Sequence, residues 1–95
     1  MKTLHTALLQ TNLHWHNPAE NQFVFEQLIA KLPKAVSLII LPEMWATGFT
    51  MTPAEVAEPM SGSSVAWMQY MAKQHNAAVC GSLAIKEKDV FYNRF

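Results

Sequence analysis

The run "AVSLIIL" at residues 35–41 constrains the fold more than any other feature of this sequence. It is almost entirely apolar, with only one serine among its seven residues. A run of this kind is typical of a central parallel strand that is covered on both faces. Pro42 follows it and has no N–H to donate to a sheet ladder, so we expect the strand to stop there.

The residues before this run predict a strand and a helix. Residues 4–13 mix apolar and polar side chains of β-compatible types and predict a first strand. A helix is expected to begin at "NPAE" (17–20), where Asn17 can cap, proline suits the first helical position and glutamate stands where a capping box needs it. Pro33 is expected to end the helix. Its buried face follows the i, i+3, i+4, i+7 spacing: Phe25, Leu28, Ile29 and Leu32.

The residues after this run complete an alternating pattern. We expect, in order, a very short helix at 52–55, a helix from the caps in 61–64 to about His75, a third strand at 77–85, a polar turn at 86–89 and a fourth strand at 90–95. The second long helix should bury Val65, Met68 and Ala72, with Trp67 and Met71 beside them. The order β-α-β-α-β-β predicts an α/β protein with a parallel sheet.

Composition excludes several classes of protein. A hydrophobic fraction of 51% is too high for a disordered segment. The seven basic and seven acidic residues cancel and are scattered, so we expect no nucleic-acid partner. No apolar run approaches the ~20 residues of a membrane span, and the N-terminal residues lack the features of a signal peptide. The single cysteine cannot form an internal disulfide. A cytoplasmic location is therefore expected.

The apolar fraction is high for a chain of 95 residues. A chain of this size buries only about 60% of the surface that its unfolded form exposes. Much of its apolar surface therefore needs cover from a partner or from more chain. The sequence also stops on an aromatic residue within a strand pattern, which predicts that residues 1–95 are part of a larger domain.

Glu43 is the first candidate for chemistry. It follows the central strand directly, and ligands of α/β sheets gather beyond the carboxyl ends of the strands. A carboxylate partly shielded there by Trp45 and Phe49 can act as a general base. The alternative is an ordinary surface glutamate at a strand end. The "TGFTM" loop (47–51) is either a pocket wall or a turn that needs Gly48.

Other candidates have simple structural interpretations. Cys80 lies inside an apolar strand, and buried cysteines are usually inert. His14 and His16 could share one side of a strand and bind a metal, but no third ligand stands at a helpful spacing, so we expect no metal site. The Tyr-Asn-Arg segment at 92–94 is interpreted as ordinary strand residues, with a site-facing role as the alternative.

The segment "LIILPEMWATGFTM" (38–51) resembles the glutamate motif of the nitrilase, or carbon–nitrogen hydrolase, superfamily. Supporting matches are "LLQTNL", "NPAENQ", "GS" in the third strand and the terminal "NRF", and together they cover essentially the whole chain. The "PEMW" and "NRF" forms are most similar to the bacterial omega-amidase-like branch. The resemblance implies that the chain is the N-terminal part of an α-β-β-α sandwich.

The resemblance also implies a Glu–Lys–Cys active site and no cofactor. Glu43 matches the glutamate that takes the proton of the cysteine thiol, while the cysteine forms an acyl-enzyme and the lysine stabilises the oxyanion. Trp45 and Phe49 would bind substrate. The expected substrates are small ω-amides of 2-oxo acids, and the intact protein is expected to associate with copies of itself.

One departure from the family pattern is decisive. The family's lysine and cysteine lie beyond the fourth strand, outside this sequence, and Lys86, Lys88 and Cys80 do not match them. We therefore expect the 95-residue chain alone to be inactive. Two alternatives remain: a non-catalytic, truncated relative that docks onto a partner chain, and a small metal-binding α/β protein that uses His14 and His16.

Overall fold

The central apolar run forms the middle strand of a parallel sheet. The computed structural model describes residues 2–95. Strand β2 (Leu38–Ile40) lies between β1 (Thr6–Leu8) and β3 (Ala78–Cys80), and both neighbours are parallel to it. Ile39 is aligned with Ala7 on one side and Val79 on the other. The predicted α/β class and the parallel central strand are confirmed.

Two helices and a hairpin complete the chain. These elements are α1 (Pro18–Ala30), a 3-10 turn (Pro53–Glu55), α2 (Ser63–His75), β4 (Leu83–Glu87) and β5 (Val90–Arg94). Strands β4 and β5 pair antiparallel with each other, in a sheet separate from the parallel one. Within residues 2–95, neither helix combines the length and the apolar character needed to cross a bilayer.

Helix α1 begins as its sequence predicts. Asn17 is the N-cap, its side-chain oxygen accepts from the backbone N–H of Glu20 at 3.2 Å, and a proline follows at the first helical position. The reciprocal half of the capping box is not made, because the backbone N–H of Asn17 donates to the carbonyl of His14. The helix ends at Ala30, three residues before Pro33. The backbone N–H groups just after it donate to carbonyls three residues earlier instead of four, which is the tighter 3-10 pattern.

Helix α2 is capped in a way the sequence did not indicate. The residue at its N-cap is Gly62, which has no side chain to donate or accept. The carboxylate of Glu58 takes that role, accepting from the backbone N–H of Ser64 at 2.9 Å and from its hydroxyl at 2.6 Å. An acidic group at a helix N-terminus is stabilising because it meets the unpaired N–H groups and the positive end of the dipole.

The core lies between the two helices and one face of the parallel sheet. Its largest fully buried side chains are apolar and come from α1, β2, the loop after β2, α2 and β4: Phe25, Ile29, Ile39, Trp45, Met71 and Ile85. Met71, expected beside the buried face of α2, is instead at its centre, because the helix is rotated so that Ser64 and Met71 face inward. Val65, Trp67 and Met68 pack at the margin of the core.

The third strand is not continuous over 77–85 as predicted. The backbone N–H of Leu41 donates to the carbonyl of Cys80 at 2.7 Å, and the ladder ends there. A Cβ at Gly81 would lie 2.9 Å from that of Leu41, so only glycine fits this approach. The chain then leaves the parallel sheet and starts β4. The predicted polar turn is correspondingly shorter, since Lys86 and Glu87 belong to β4.

The expected cover on both faces of the central strand is found on one face only. Ile39, which faces the helices, is 1% exposed. On the opposite face Leu38 and Ile40 are half-buried, and the neighbouring Leu8 is 75% exposed. Both helices pack on the same side of the sheet, so the second side has no layer among the described residues.

Asn21 is a buried polar residue that ties α1 to two loops. Its Oδ1 accepts from the backbone N–H of His14 at 2.8 Å, and its Nδ2 donates to the carbonyls of His14 and Ala46 at 2.8 and 2.7 Å. The side chain is 1% exposed. It therefore provides hydrogen-bond partners for one backbone N–H and two backbone carbonyls that the fold shields from water.

Replacing Asn21 with alanine is expected to lower the free energy of unfolding by about 2–4 kcal/mol, because buried N–H and C=O groups lose their partners. Urea denaturation followed by circular dichroism measures the change. Gln27→Ala, at an exposed position of the same helix, is the matched control and should stay within about 0.5 kcal/mol of the unmodified chain. Equal effects of the two substitutions would contradict this role of Asn21.

Candidate active site

Glu43 lies at the carboxyl end of the middle parallel strand. It follows the last residue of β2 by three positions, beyond Pro42. This is the edge of a parallel sheet at which α/β proteins place their ligands. The side chain is exposed, so the partial shielding from water that the sequence suggested is not present among the described residues.

The backbone that follows Glu43 is held by Ser82. Met44 has a left-handed conformation with φ of 48°, and its N–H donates to the hydroxyl of Ser82 at 2.9 Å. The N–H of Trp45 donates to the carbonyl of the same serine at 3.3 Å. Met44 and Ser82 are both buried. Two hydrogen bonds accepted by Ser82 therefore fix the direction in which the chain leaves Glu43.

The carboxylate of Glu43 is held by a residue fifty positions away. Asn93 of β5 donates from Nδ2 to Oε2 of Glu43 at 2.8 Å. An ionised carboxylate only accepts hydrogen bonds, so the amide nitrogen must be the atom that faces it. Strand β5 thus brings a neutral donor to the end of the parallel sheet.

Two adjoining clefts meet at Asn93. The first has a volume of about 280 Å³ and contains Glu43; its lining is Leu41, Glu43, Ser82, Asn93 and Phe95. The second, of the same volume, is walled by the loop after β2 and by β5, with Met44, Phe49, Thr50, Met51, Pro53, Phe91, Tyr92 and Asn93 around it. A polar centre with apolar walls suits a small molecule that has one reactive polar group.

The loop that walls the second cleft is fixed by a tight packing contact and by hydrogen bonds. Gly48 has φ of +83°, and a Cβ there would lie 3.0 Å from the ring of Trp15. The backbone N–H of His16 donates to the carbonyl of Thr47 at 2.8 Å, and its Nε2 lies 2.9 Å from the hydroxyl of Thr50. Both interpretations offered for this loop therefore apply, since it is a turn with Gly48 at positive φ and it also walls the second cleft.

The structure separates the two predicted aromatic site residues. Phe49 is 60% exposed and lines the second cleft. Trp45 is fully buried, edge-on to Phe25 with ring centroids 5.9 Å apart and tilted against Trp67 at 4.8 Å. Its indole Nε1 has no hydrogen-bond partner among the described residues. Trp45 therefore anchors the loop from inside the core and lines neither cleft.

The remaining candidates lie away from Glu43 or in other contacts. Cys80 is half-buried in β3 and lines a different, apolar cleft beside α2. His14 lies 4.0 Å from the carboxylate of Glu20, and His16 contacts Thr50. Within residues 2–95, no group of three or more His, Cys, Asp or Glu side chains is placed to hold a metal ion. Arg94 pairs with a glutamate of β4 at 2.8 Å.

Sequence reasoning gave no definite role to Ser82 or Asn93. Both act through contacts between distant segments, so neither forms a local motif. The alternation of β5 contains a signal for Asn93: Phe91 and Phe95 flank it at the same-face positions, so a single amide interrupts an apolar row. The corresponding sequence signal for Ser82 is the preceding Gly81, because a glycine permits a close approach between backbones.

Together, the fold and the site define an α/β protein with a carboxylate at the carboxyl end of its central parallel strand. The family model of the carbon-nitrogen hydrolases matches residues 5–95. The chain therefore belongs to the carbon-nitrogen hydrolase family.

Similar proteins agree with this assignment. The chain is 35% identical over all of its 95 residues to "Omega-amidase YafV" of Yersinia enterocolitica and covers 36% of that protein. It is 32% identical over 89 residues to "2-oxoglutaramate amidase" of Bacillus subtilis strain 168, which corresponds to 92% of this chain and 34% of that one. The chain thus spans about a third of the length of the curated relatives it matches.

A solved structure also matches. The crystal structure of XC1258 from Xanthomonas campestris, described as a CN-hydrolase superfamily protein with an arsenic adduct in the active site, superposes with a TM-score of 0.91. It is 33% identical, and the match covers 98% of this chain and 35% of that chain. The expected nitrilase-type fold of the N-terminal portion is confirmed.

Ser82→Ala is expected to lower the free energy of unfolding by about 1–3 kcal/mol, because it leaves the buried N–H of Met44 without a partner. The same change should accelerate hydrogen exchange at that amide, which NMR measures directly. Ser61→Ala, at an exposed position, is the control. Unchanged exchange at Met44 in Ser82→Ala would show that the hydroxyl does not hold this backbone.

Proposed function

We propose that this chain is the N-terminal portion of an omega-amidase-like carbon–nitrogen hydrolase, with Glu43 as the general base. The observation that carries the proposal is the position of Glu43: a carboxylate at the end of the central parallel strand, hydrogen-bonded to Asn93 and open to a cleft. Family membership supplies the class of reaction. The names of the relatives, omega-amidase and 2-oxoglutaramate amidase, supply the substrate class.

The substrates we propose are small ω-amides of 2-oxo acids. A cysteine outside this chain attacks the amide carbon while Glu43 takes the proton of its thiol, since a thiol is mostly protonated at neutral pH. The proton then leaves with ammonia as the acyl-enzyme forms. Glu43 next activates the water that hydrolyses the thioester, and a lysine outside this chain stabilises the negative oxygen of both tetrahedral intermediates.

The aromatic residues of the loop have different places in this proposal. Phe49 forms an apolar wall beside the reacting group, consistent with its position in the second cleft. A contact between Trp45 and substrate stays a prediction, and its complete burial favours a supporting role beneath the loop. Neither role requires a metal or an organic cofactor, and we place the reaction in the cytoplasm.

A second function, docking onto a partner without catalysis, is favoured by one observation. An apolar cleft of about 450 Å³ runs beside β3 and α2, with a lining that includes Met60, Met68, Leu83 and Phe95. An exposed apolar surface of this kind marks a place that another chain segment covers. In the intact hydrolase that cover would come from the rest of the domain or from a second copy; in a truncated relative it would come from a partner.

The first experiment separates the two functions. The coding DNA is read in frame beyond Phe95, and the hydrolase proposal expects a lysine soon after β5 and a cysteine at a later strand end. A stop codon directly after Phe95 would favour the docking function instead.

In the enzyme that contains this segment, Glu43→Gln is expected to reduce ammonia release from 2-oxoglutaramate by about 10²–10⁴-fold, the contribution typical of a general base. A coupled glutamate dehydrogenase assay measures the ammonia. Glu26→Gln on α1 is the matched control and should keep full activity. The 95-residue chain alone should release none. Full activity in Glu43→Gln would exclude this glutamate as the base.

The isolated 95-residue chain is expected to bind a fluorescent apolar dye and to self-associate, because its apolar cleft and the exposed Phe95 lack cover. Dye titration and sedimentation velocity measure the two properties. The double substitution Met68→Ser and Phe95→Ser should weaken both. A monodisperse monomer that binds no dye would contradict the larger-domain and docking interpretations together.

A further inference from the structure

We propose that Asn93 is a positioning residue that fixes the carboxylate of Glu43 for proton transfer. The inference rests on the proposed function and adds to it a residue outside the expected Glu–Lys–Cys triad. The hydrogen bond from Asn93 Nδ2 occupies Oε2 of Glu43. Within residues 2–95, no hydrogen bond or ion pair engages Oε1, so this oxygen is the one that can receive the thiol proton.

Asn93 is carried by a well-anchored strand. It is aligned with Ala84 of β4, which is 5% exposed and lies between two other buried residues of that strand. The carbonyl of Ala84 accepts from the N–H of Glu58 at 3.1 Å, and the N–H of Lys86 donates to the carbonyl of Glu58 at 2.9 Å. The backbone beneath Asn93 is therefore held from two sides.

The other half of the contact is equally constrained. Ser82 holds the backbone directly after Glu43 through two hydrogen bonds, so the carboxylate starts from a fixed point. The side chain of a glutamate still has three rotatable bonds. A donor at a fixed position selects one orientation among the rotamers, which is the requirement for efficient proton transfer.

Packing or stability does not account for an asparagine at this position. The residues two positions before and after it, Phe91 in β5 and Phe95 directly after β5, are aromatic, and an apolar residue would continue that row. The hydrogen bond between Asn93 and Glu43 is exposed, and exposed polar contacts contribute little to stability because water competes for both partners. The amide is therefore better explained by what it does to the carboxylate.

A neutral donor also suits a base better than a cation would. A lysine or arginine in the place of Asn93 would stabilise the ionised carboxylate strongly and so weaken it as a proton acceptor. An amide orients the carboxylate without adding a charge. The hydrogen bond from Asn93 thus orients the base, Glu43, without changing the net charge of the site.

The kinetic test uses the full-length enzyme that contains this segment. Asn93→Ala should lower kcat about 10- to 100-fold, with little change in KM, because the misplacement of a reacting group by about 1 Å can cost up to ~10²-fold in rate. In the Glu43→Gln background the same substitution should cause no further loss, because its effect acts through Glu43. Gln27→Ala, which removes an exposed amide from α1, is the matched control.

A second measurement needs no activity. In the full-length enzyme that contains this segment, Glu43→Gln should shift the NMR signals of the Asn93 side-chain NH₂ group more than those of other side-chain amides. Unshifted signals would show that the contact is absent and would overturn the proposal. Normal kcat in Asn93→Ala, together with an inactive Glu43→Gln, would overturn the positioning role and leave the proposed function intact. Full activity in Glu43→Gln would overturn both.

Discussion

The contact between the loop after β2 and the segment after β3 is the constraint on which the rest of the site depends. Ser82 accepts from the N–H of Met44 and, through its carbonyl, from that of Trp45. Gly81 makes the approach possible, since a side chain there would collide with Leu41. Met44 and Ser82 are 38 positions apart, and joining their segments brings the carboxyl ends of β2 and β3 to one place.

Two consequences follow from this contact. The chain is turned out of the parallel sheet at Gly81, so β4 and β5 form a separate hairpin whose outer strand passes Glu43. Trp45 is drawn into the core against Phe25 and Trp67. The start of the loop that follows is consequently held in the core, and Phe49 is left at the surface beside the cleft. One junction thus sets the fold of the second half and the walls of the proposed active site.

Much of the architecture follows from local chemistry and was therefore predictable. The apolar run before Pro42 predicts a strand and forms one, covered on one face among the described residues, and Asn17 with Pro18 marks a helix start. The break at Gly81 was missed because the residues on both sides of it are apolar and suited to strands. The N-cap of α2 was missed for a related reason: the capping group, Glu58, lies before the helix and meets it only once β4 has fixed its backbone.

The sequence by itself determined the class of fold, the family resemblance and the identity of Glu43 as the candidate base, because all three depend on patterns within short contiguous segments. Tertiary structure alone decided that Asn93 meets Glu43, that Ser82 holds the backbone directly after Glu43, and that Trp45 is buried while Phe49 is exposed. The physical reason is range. Propensity, capping and alternation act within a few residues, whereas these contacts join segments that are distant along the chain and adjacent only after the sheet and hairpin have packed.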